Sequence, residues 1–155
     1  MIIQSATVED SAAIFELQRL AYQTEAELYD DCTIPPLVET LDELRGQFSV
    51  QQFFKAVDDG QIVGSVRAVQ KEMTCHIGRL IVLPDCRRRG IGTALMGYVE
   101  MAFPGAARFE LFTGHRSENN IRLYERLGYR TFRREPLNER LTMVFLEKRV
   151  TQPEK

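Results

Sequence analysis

The stretch Leu80-Ile81-Val82-Leu83-Pro84-Asp85-Cys86-Arg87-Arg88-Arg89-Gly90-Ile91-Gly92-Thr93-Ala94-Leu95 decides how the rest of the chain is read. Its first residues are an apolar run that ends at a proline, as a buried strand does. Ile91, Ala94 and Leu95 begin a helical spacing that Val99 and Ala102 continue until Pro104-Gly105 stops it. Three arginines and two glycines therefore occupy a turn from strand to helix, where free backbone amides and the positive end of the helix dipole face outward. Without side chains, Gly90 and Gly92 let an anion approach the backbone closely. The turn suits a pyrophosphate.

Two nucleotide motifs are excluded at this turn. A Walker loop needs Gly-Lys-Ser/Thr, which is absent, and a dinucleotide fingerprint needs a third glycine where Leu95 stands. Nucleic-acid binding through the arginines finds no tryptophan and no interleaved aromatics to stack bases. No nucleic-acid partner is expected.

Outward from the turn, the periodicities alternate between two and three to four. Residues 2 to 6 read as a strand. Thr7 and Asp10 then resemble a capping box before a helix that carries Ile14, Leu17 and Ala21 on one face to about Tyr22, beyond which the acidic run Glu25 to Asp31 breaks the pattern. Pro35-Pro36 opens a second helix over 37–47. From Gln51 the period becomes two, Asp58-Asp59-Gly60 turns the chain, and 62–69 runs back as a hairpin, followed by a strand at 75–83. After the helix from Ile91 come a strand at 108–113, a helix at 117–127 capped by Gly128, and strands at 129–134 and 140–147. The expected order is β α α β β β α β α β β, an α/β chain of the α+β type with a mixed sheet of about seven strands and about four helices.

Composition agrees with one globular unit. The chain has 155 residues, 44% hydrophobic and 27% charged, which excludes long disorder and two full domains. A single domain over 1–150 and a short polar tail at 151–155 are expected. Met1-Ile2-Ile3-Gln4 has no basic segment leading into an apolar one, and nowhere do 18 apolar residues run together, so neither a signal peptide nor a membrane partner is expected. Cys32, Cys75 and Cys86 are an odd count without a C-x-x-C pair, so the expectation is a reducing cytoplasm and no structural metal. The net charge is −2, yet the chain up to Val50 holds two basic and ten acidic residues. That asymmetry predicts an anion on one part of the surface and a cation on another.

The stretch from Leu80 to Leu95 resembles motif A of the GNAT family of acetyl-CoA-dependent N-acetyltransferases. Asn120-Ile121-Arg122-Leu123-Tyr124-Glu125-Arg126-Leu127-Gly128-Tyr129 resembles that family's motif B, at the expected distance. The two motifs cover about a fifth of the chain, and the element order resembles the family fold over nearly all of it.

The resemblance implies a sheet split between its fourth and fifth strands, with acetyl-CoA as co-substrate in the opening. Leu80, Ile81 and Val82 would then lend backbone groups to the pantetheine arm. The amides of Arg87, Arg88, Arg89, Gly90, Ile91, Gly92 and Thr93 would hold the pyrophosphate, helped by charge-assisted hydrogen bonds from the arginines. Asn120 would bond the pantetheine, while Ser117, where many relatives carry asparagine, is a departure. The Val82 amide would meet the oxyanion, and the Tyr124 hydroxyl would protonate the leaving thiolate.

If the acceptor is a lysine-like amine, its deprotonation at pH 7 costs roughly 4.6 kcal/mol, so a base matters. The family offers no fixed one. Counting eleven residues back from Arg87 lands on His76, with Glu110 or a water chain as alternatives. The acceptor region implied by the resemblance carries Tyr22, Glu25, Glu27, Tyr29, Asp30 and Asp31, carboxylates that would favour a cationic amine of a small molecule, peptide or protein. Dimers are frequent in the family, so a homodimer through the late hairpin stays open. The competing reading is a non-catalytic acyl-CoA-binding sensor or regulator.

Overall fold

The computed structural model describes residues 1–31 and 33–150; Cys32 and the expected tail 151–155 lie outside the described residues. In chain order the elements are β1 (Ile2–Ser5), α1 (Ser11–Tyr29), α2 (Pro35–Val38), α3 (Leu41–Gln47), β2 (Gln52–Asp58), β3 (Gln61–Lys71) and β4 (Thr74–Val82). There follow α4 (Ile91–Ala102), β5 (Arg108–Gly114), α5 (Glu118–Arg126), β6 (Arg130–Pro136) and β7 (Thr142–Arg149). Seven strands form one sheet in the order β1-β2-β3-β4-β5-β7-β6. All neighbours are antiparallel except β4 and β5.

The helices number five among the described residues, one more than expected, because the segment read as 37–47 is two pieces. Glu39 leaves the helical region at φ −61 and ψ 129. Thr40 then caps a new helix: its hydroxyl accepts the Glu43 amide at 3.1 Å, and the Glu43 carboxylate accepts the Thr40 amide at 2.9 Å. Similarly, α1 does not fade at Tyr22. Ala26 and Tyr29 continue its buried face while Glu27 points outward, and Asp30, left-handed at φ 48, ends it.

Helices cover both faces of the sheet at its middle. Strand alternation sends Phe53 and Phe54 to opposite sides, and both are buried, at 2% and 1% exposure. Phe54 joins Val66, Leu95, Met96 and Val99 under α4. Phe53 packs with Ile14 of α1 and Leu44 of α3, and Ile81 meets Leu17 and Ala21 of α1. Each such side chain contributes about 1.5–3 kcal/mol through burial, which holds α1 and α4 against the same strands from either side.

The parallel pairing of β4 with β5 is short. It runs from Thr74 opposite Arg108 to His76 opposite Glu110 and then stops, although both strands continue, to Val82 and Gly114. The sheet is thus split between its fourth and fifth strands. On the other side of β4, the register against β3 slips between Gly78, opposite Arg67, and Ile81, opposite Ser65. Two β4 residues there face one on β3, a bulge, and Arg79 within it is left-handed at φ 52.

Candidate active site

The diverging ends of β4 and β5 border a cavity of about 200 Å³. One wall is Ile77, Gly78, Arg79 and Leu80 of β4; the opposite wall is Leu111 to Gly114 of β5 with Asn120 and Tyr124 of α5. The α1 helix closes the top with Tyr22, Glu25 and Tyr29, and Pro35, Leu141 and Met143 complete an otherwise apolar lining.

Tyr124 is only 5% exposed, and its hydroxyl makes no hydrogen bond among the described residues. Burial pushes its pKa well up, and the Tyr22 and Glu25 side chains add to the effect. The phenol is therefore protonated at neutral pH. Burial also raises Tyr22, to about 12, with the Arg79 charge working against the rise. Glu25 accepts the Ser117 hydroxyl proton, and the Tyr29 hydroxyl is 2.9 Å from the Ser117 hydroxyl.

The backbone of β4 faces the opening as well. Leu83 donates its amide to Val63 of β3 at 2.8 Å. Because consecutive strand residues direct their N–H and C=O to opposite sides, the Val82 groups are turned toward β5, where pairing ended at His76.

The turn before α4 adjoins the same end of β4. Gly90 is left-handed at φ 78, and a Cβ there would meet nothing within 4 Å. Ala94 donates to the Gly90 carbonyl at 3.0 Å as the first helical bond, which leaves the Ile91, Gly92 and Thr93 amides without helix partners. A Cβ on Gly92 would come within 3.2 Å of Leu123 and 3.8 Å of Leu80, so the start of α4 lies directly behind the cavity wall. Arg87, Arg88 and Arg89 are exposed. Arg87 donates to the Ala21 carbonyl at 3.2 Å and Arg89 pairs with Asp58 at 3.3 Å.

The candidate residues read from the sequence divide into two sets. Tyr22, Glu25, Tyr29, Leu80, Asn120 and Tyr124 come together around the cavity. His76 and Glu110 do not: they stand opposite each other in the paired part of the sheet, His76 Nδ1 3.5 Å from Glu110, whose other oxygen is held by Arg108 at 2.7 Å. Strand pairing has not yet opened at that level, and neither residue lines this cavity. Asp30 and Asp31 are also outside the lining, because α1 has ended there and the Asp31 carboxylate is occupied by the amide and hydroxyl of Thr33. The side chain of Ile81 packs against α1 in the core.

Sequence reasoning missed Arg79, whose place at the cavity depends on a bulge that no pattern announces. It also missed the buried trio behind it: Arg67 bonds Glu39 at 2.9 and 3.2 Å and Gln18 at 2.9 Å. Among the described residues no group of three or more His, Cys, Asp or Glu side chains could hold a metal ion, and no helix is long and apolar enough to cross a membrane.

A mixed seven-stranded sheet thus opens beside a glycine-bearing turn into a helix. Residues 49–131 match the family model described as acetyltransferase (GNAT) domain. The chain is 30% identical over 135 residues to the uncharacterized N-acetyltransferase MJ1530 of Methanocaldococcus jannaschii, covering 84% of this chain and 78% of that one. It is 29% identical over 116 residues to the UPF0157 protein YqkA of Bacillus subtilis; the match takes in 75% of this chain but spans only a third of that relative, 33%. Its fold superposes on the PaiA N-acetyltransferase of Thermoplasma acidophilum, solved in complex with coenzyme A, with a TM-score of 0.75 at 17% identity over 97% of this chain and 100% of that one. The chain belongs to the GNAT acetyltransferase family.

Proposed function

We propose that residues 1–150 form one domain that transfers the acetyl group of acetyl-CoA to a primary amine by direct attack. The observation that carries this reading is the Tyr124 hydroxyl: buried, protonated and without a protein partner, it borders a cavity that opens where the sheet splits. A phenol kept neutral in this way can give its proton to a departing thiolate.

The residues at hand fit an acyl carrier. The first-turn amides at Ile91 to Thr93, which have no helix partners, the left-handed Gly90 and the Arg87–Arg89 cations would bind its diphosphate. Leu80 and Val82 would pair their outward backbone groups with its amide-rich arm, and Asn120 would bond the same arm. The Val82 amide would then face the reacting carbonyl oxygen. The acetyl group is supplied by the thioester.

The amine loses its proton before or as it attacks. His76 and Glu110 form the last closed pair of the sheet and do not line the cavity, so the proton leaves through Glu25 or through water.

The test is thiol release from acetyl-CoA in the presence of an amine library, with calorimetric titration of acetyl-CoA alongside. Amine-dependent release supports the enzyme. Binding without turnover for any amine supports the sensor instead, and no binding at millimolar acetyl-CoA removes both.

A further inference from the structure

Arg79 is a cation without an anion. It borders the cavity, is partly buried, and has no carboxylate within ion-pair distance and no hydrogen bond among the described residues. The carboxylate whose field reaches it, Glu39, is already held by two bonds from Arg67 and one from Gln18. Burial works against its charge. A desolvated guanidinium in an apolar cavity is unfavourable unless an anion arrives to meet it.

The position is built, not incidental. The bulge at Arg79 and Leu80 interrupts strand alternation, and the left-handed backbone at φ 52 turns this residue at the point where β4 leaves β5. Such a conformation disfavours a long side chain, yet the chain places arginine there.

The other charged group of the cavity is Glu25, the one member of the acidic run in α1 that borders it. Its Oε2 takes the Ser117 proton, and its Oε1 accepts no hydrogen bond among the described residues. Tyr22 lies in the fields of both, Arg79 on the β4 wall and Glu25 on the α1 helix above it. The rest of the wall is apolar: Pro35, Leu111, Leu141 and Met143.

Resting on the acetyltransferase reading above, we propose that the acceptor is an amino carboxylate with an apolar side chain, its carboxylate on Arg79 and its amine toward Glu25. The phosphates of the acyl carrier cannot be the missing anion, because the turn at residues 87–93 takes them and the arm between is uncharged. A polyamine would put a second cation beside Arg79. In the reaction the amine nitrogen forms a bond to the thioester carbonyl carbon and the carbon–sulfur bond breaks. The sulfur takes a proton from Tyr124, and the protons lost by the ammonium pass through Glu25 to water, one of them restoring Tyr124. The products are an N-acetyl amino acid, free coenzyme A and one proton.

The experiment compares L-leucine with leucinol, which lacks only the carboxylate, and with spermidine, at saturating acetyl-CoA. The expected kcat/KM for leucine exceeds that for either of the others at least tenfold. Arg79→Met should remove that preference, lowering leucine turnover at least tenfold while leaving leucinol within about twofold, and Arg79→Lys should restore part of it. Equal or better use of leucinol or spermidine overturns the inference, as does an Arg79→Met loss shared equally by leucine and leucinol, or no turnover of leucine by a protein that binds acetyl-CoA. Calorimetry of acetyl-CoA together with turnover of leucinol, spermidine and the amine library separates these from failure of the acetyltransferase reading, which would show either no binding or binding without turnover of any amine.

Discussion

The hydroxyl of Tyr29 lies 2.9 Å from that of Ser117, 88 positions further along the chain. Ser117 gives its own proton to Glu25, so Tyr29 is the donor of the pair, and its oxygen accepts the Arg116 amide at 2.9 Å. One phenol thus ties the end of α1 to the start of α5 across the opening between the strands, and it does so by standing where a side chain on Gly114 would be.

That contact gives the first prediction. A Cβ on Gly114 would fall 2.0 Å from the Tyr29 oxygen and 2.5 Å from its ring, so Gly114→Ala must displace the tyrosine. The expected loss is on the order of 1–3 kcal/mol from overpacking, whereas Tyr29→Phe, which orphans the buried donor and acceptor, should cost about 1–3 kcal/mol. Urea unfolding of both variants measures this; wild-type midpoints would mean that the bridge is not formed in solution.

Gly90→Glu should abolish acetyl-CoA binding while sparing the fold. Nothing lies within 4 Å of the added Cβ, and the only strain is the left-handed φ of 78, worth roughly 1–2 kcal/mol. The carboxylate, by contrast, enters the proposed diphosphate site at the start of α4. Calorimetry against a melting curve reports both, and unchanged affinity would displace the diphosphate from this turn.

Tyr124→Phe keeps the ring contact with Tyr129, whose centroid is 6.1 Å away, and removes only the hydroxyl. Turnover should fall by about 10²–10⁴-fold, the usual range for a general acid, with acetyl-CoA affinity changed little. A variant with normal kcat would take the acid role away from this residue.

Burial alone would raise the pKa of Glu39, but hydrogen bonds from Arg67 and Gln18 and the Arg67 charge outweigh it and hold the carboxyl below its ordinary 4.5. A depressed folded value contributes stability that is complete above the ordinary value and is lost as pH falls through the lower, folded one. Glu39→Gln should therefore melt lower at pH 7, since an uncompensated Arg67 is left buried, at 4% exposure and with a typical penalty of about 3–5 kcal/mol. Its melting temperature should also decline less steeply than the wild type's below pH 4.5. Parallel acid profiles would remove Glu39 as the group responsible.

Much of the fold was legible because periodicity reports burial directly. The alternation around Phe53 and Phe54, and the apolar face from Ile91 to Val99, follow from sheet and helix contacts that one residue in two, or in three to four, must satisfy. The extension of α1 to Tyr29 was hidden by Glu25 and Glu27, whose charges flank Ala26 and interrupt the apolar spacing before Tyr29. The break at Glu39 is marked locally by the Thr40–Glu43 capping box, which the helical spacing of Val38, Leu41 and Leu44 across it conceals.

For the site, the family motifs led to Tyr124, Asn120 and the turn at Gly90, which do lie around or behind one cavity. His76 came from counting along β4, and counting does not reveal where a strand parts from its neighbour; the opening begins one residue later. Arg79 was invisible for a related reason. A bulge changes which way one side chain points without altering the hydrophobic pattern around it.

A sheet that stops zipping after His76 leaves, over the rest of β4, a strand side that β5 does not pair. In the free protein the outward amide of Val82 should trade its hydrogen for deuterium quickly, while those turned toward β3, such as Leu83, stay slow. Adding the acyl carrier should slow the first and leave the others unchanged, so the seam would announce its guest strand by strand.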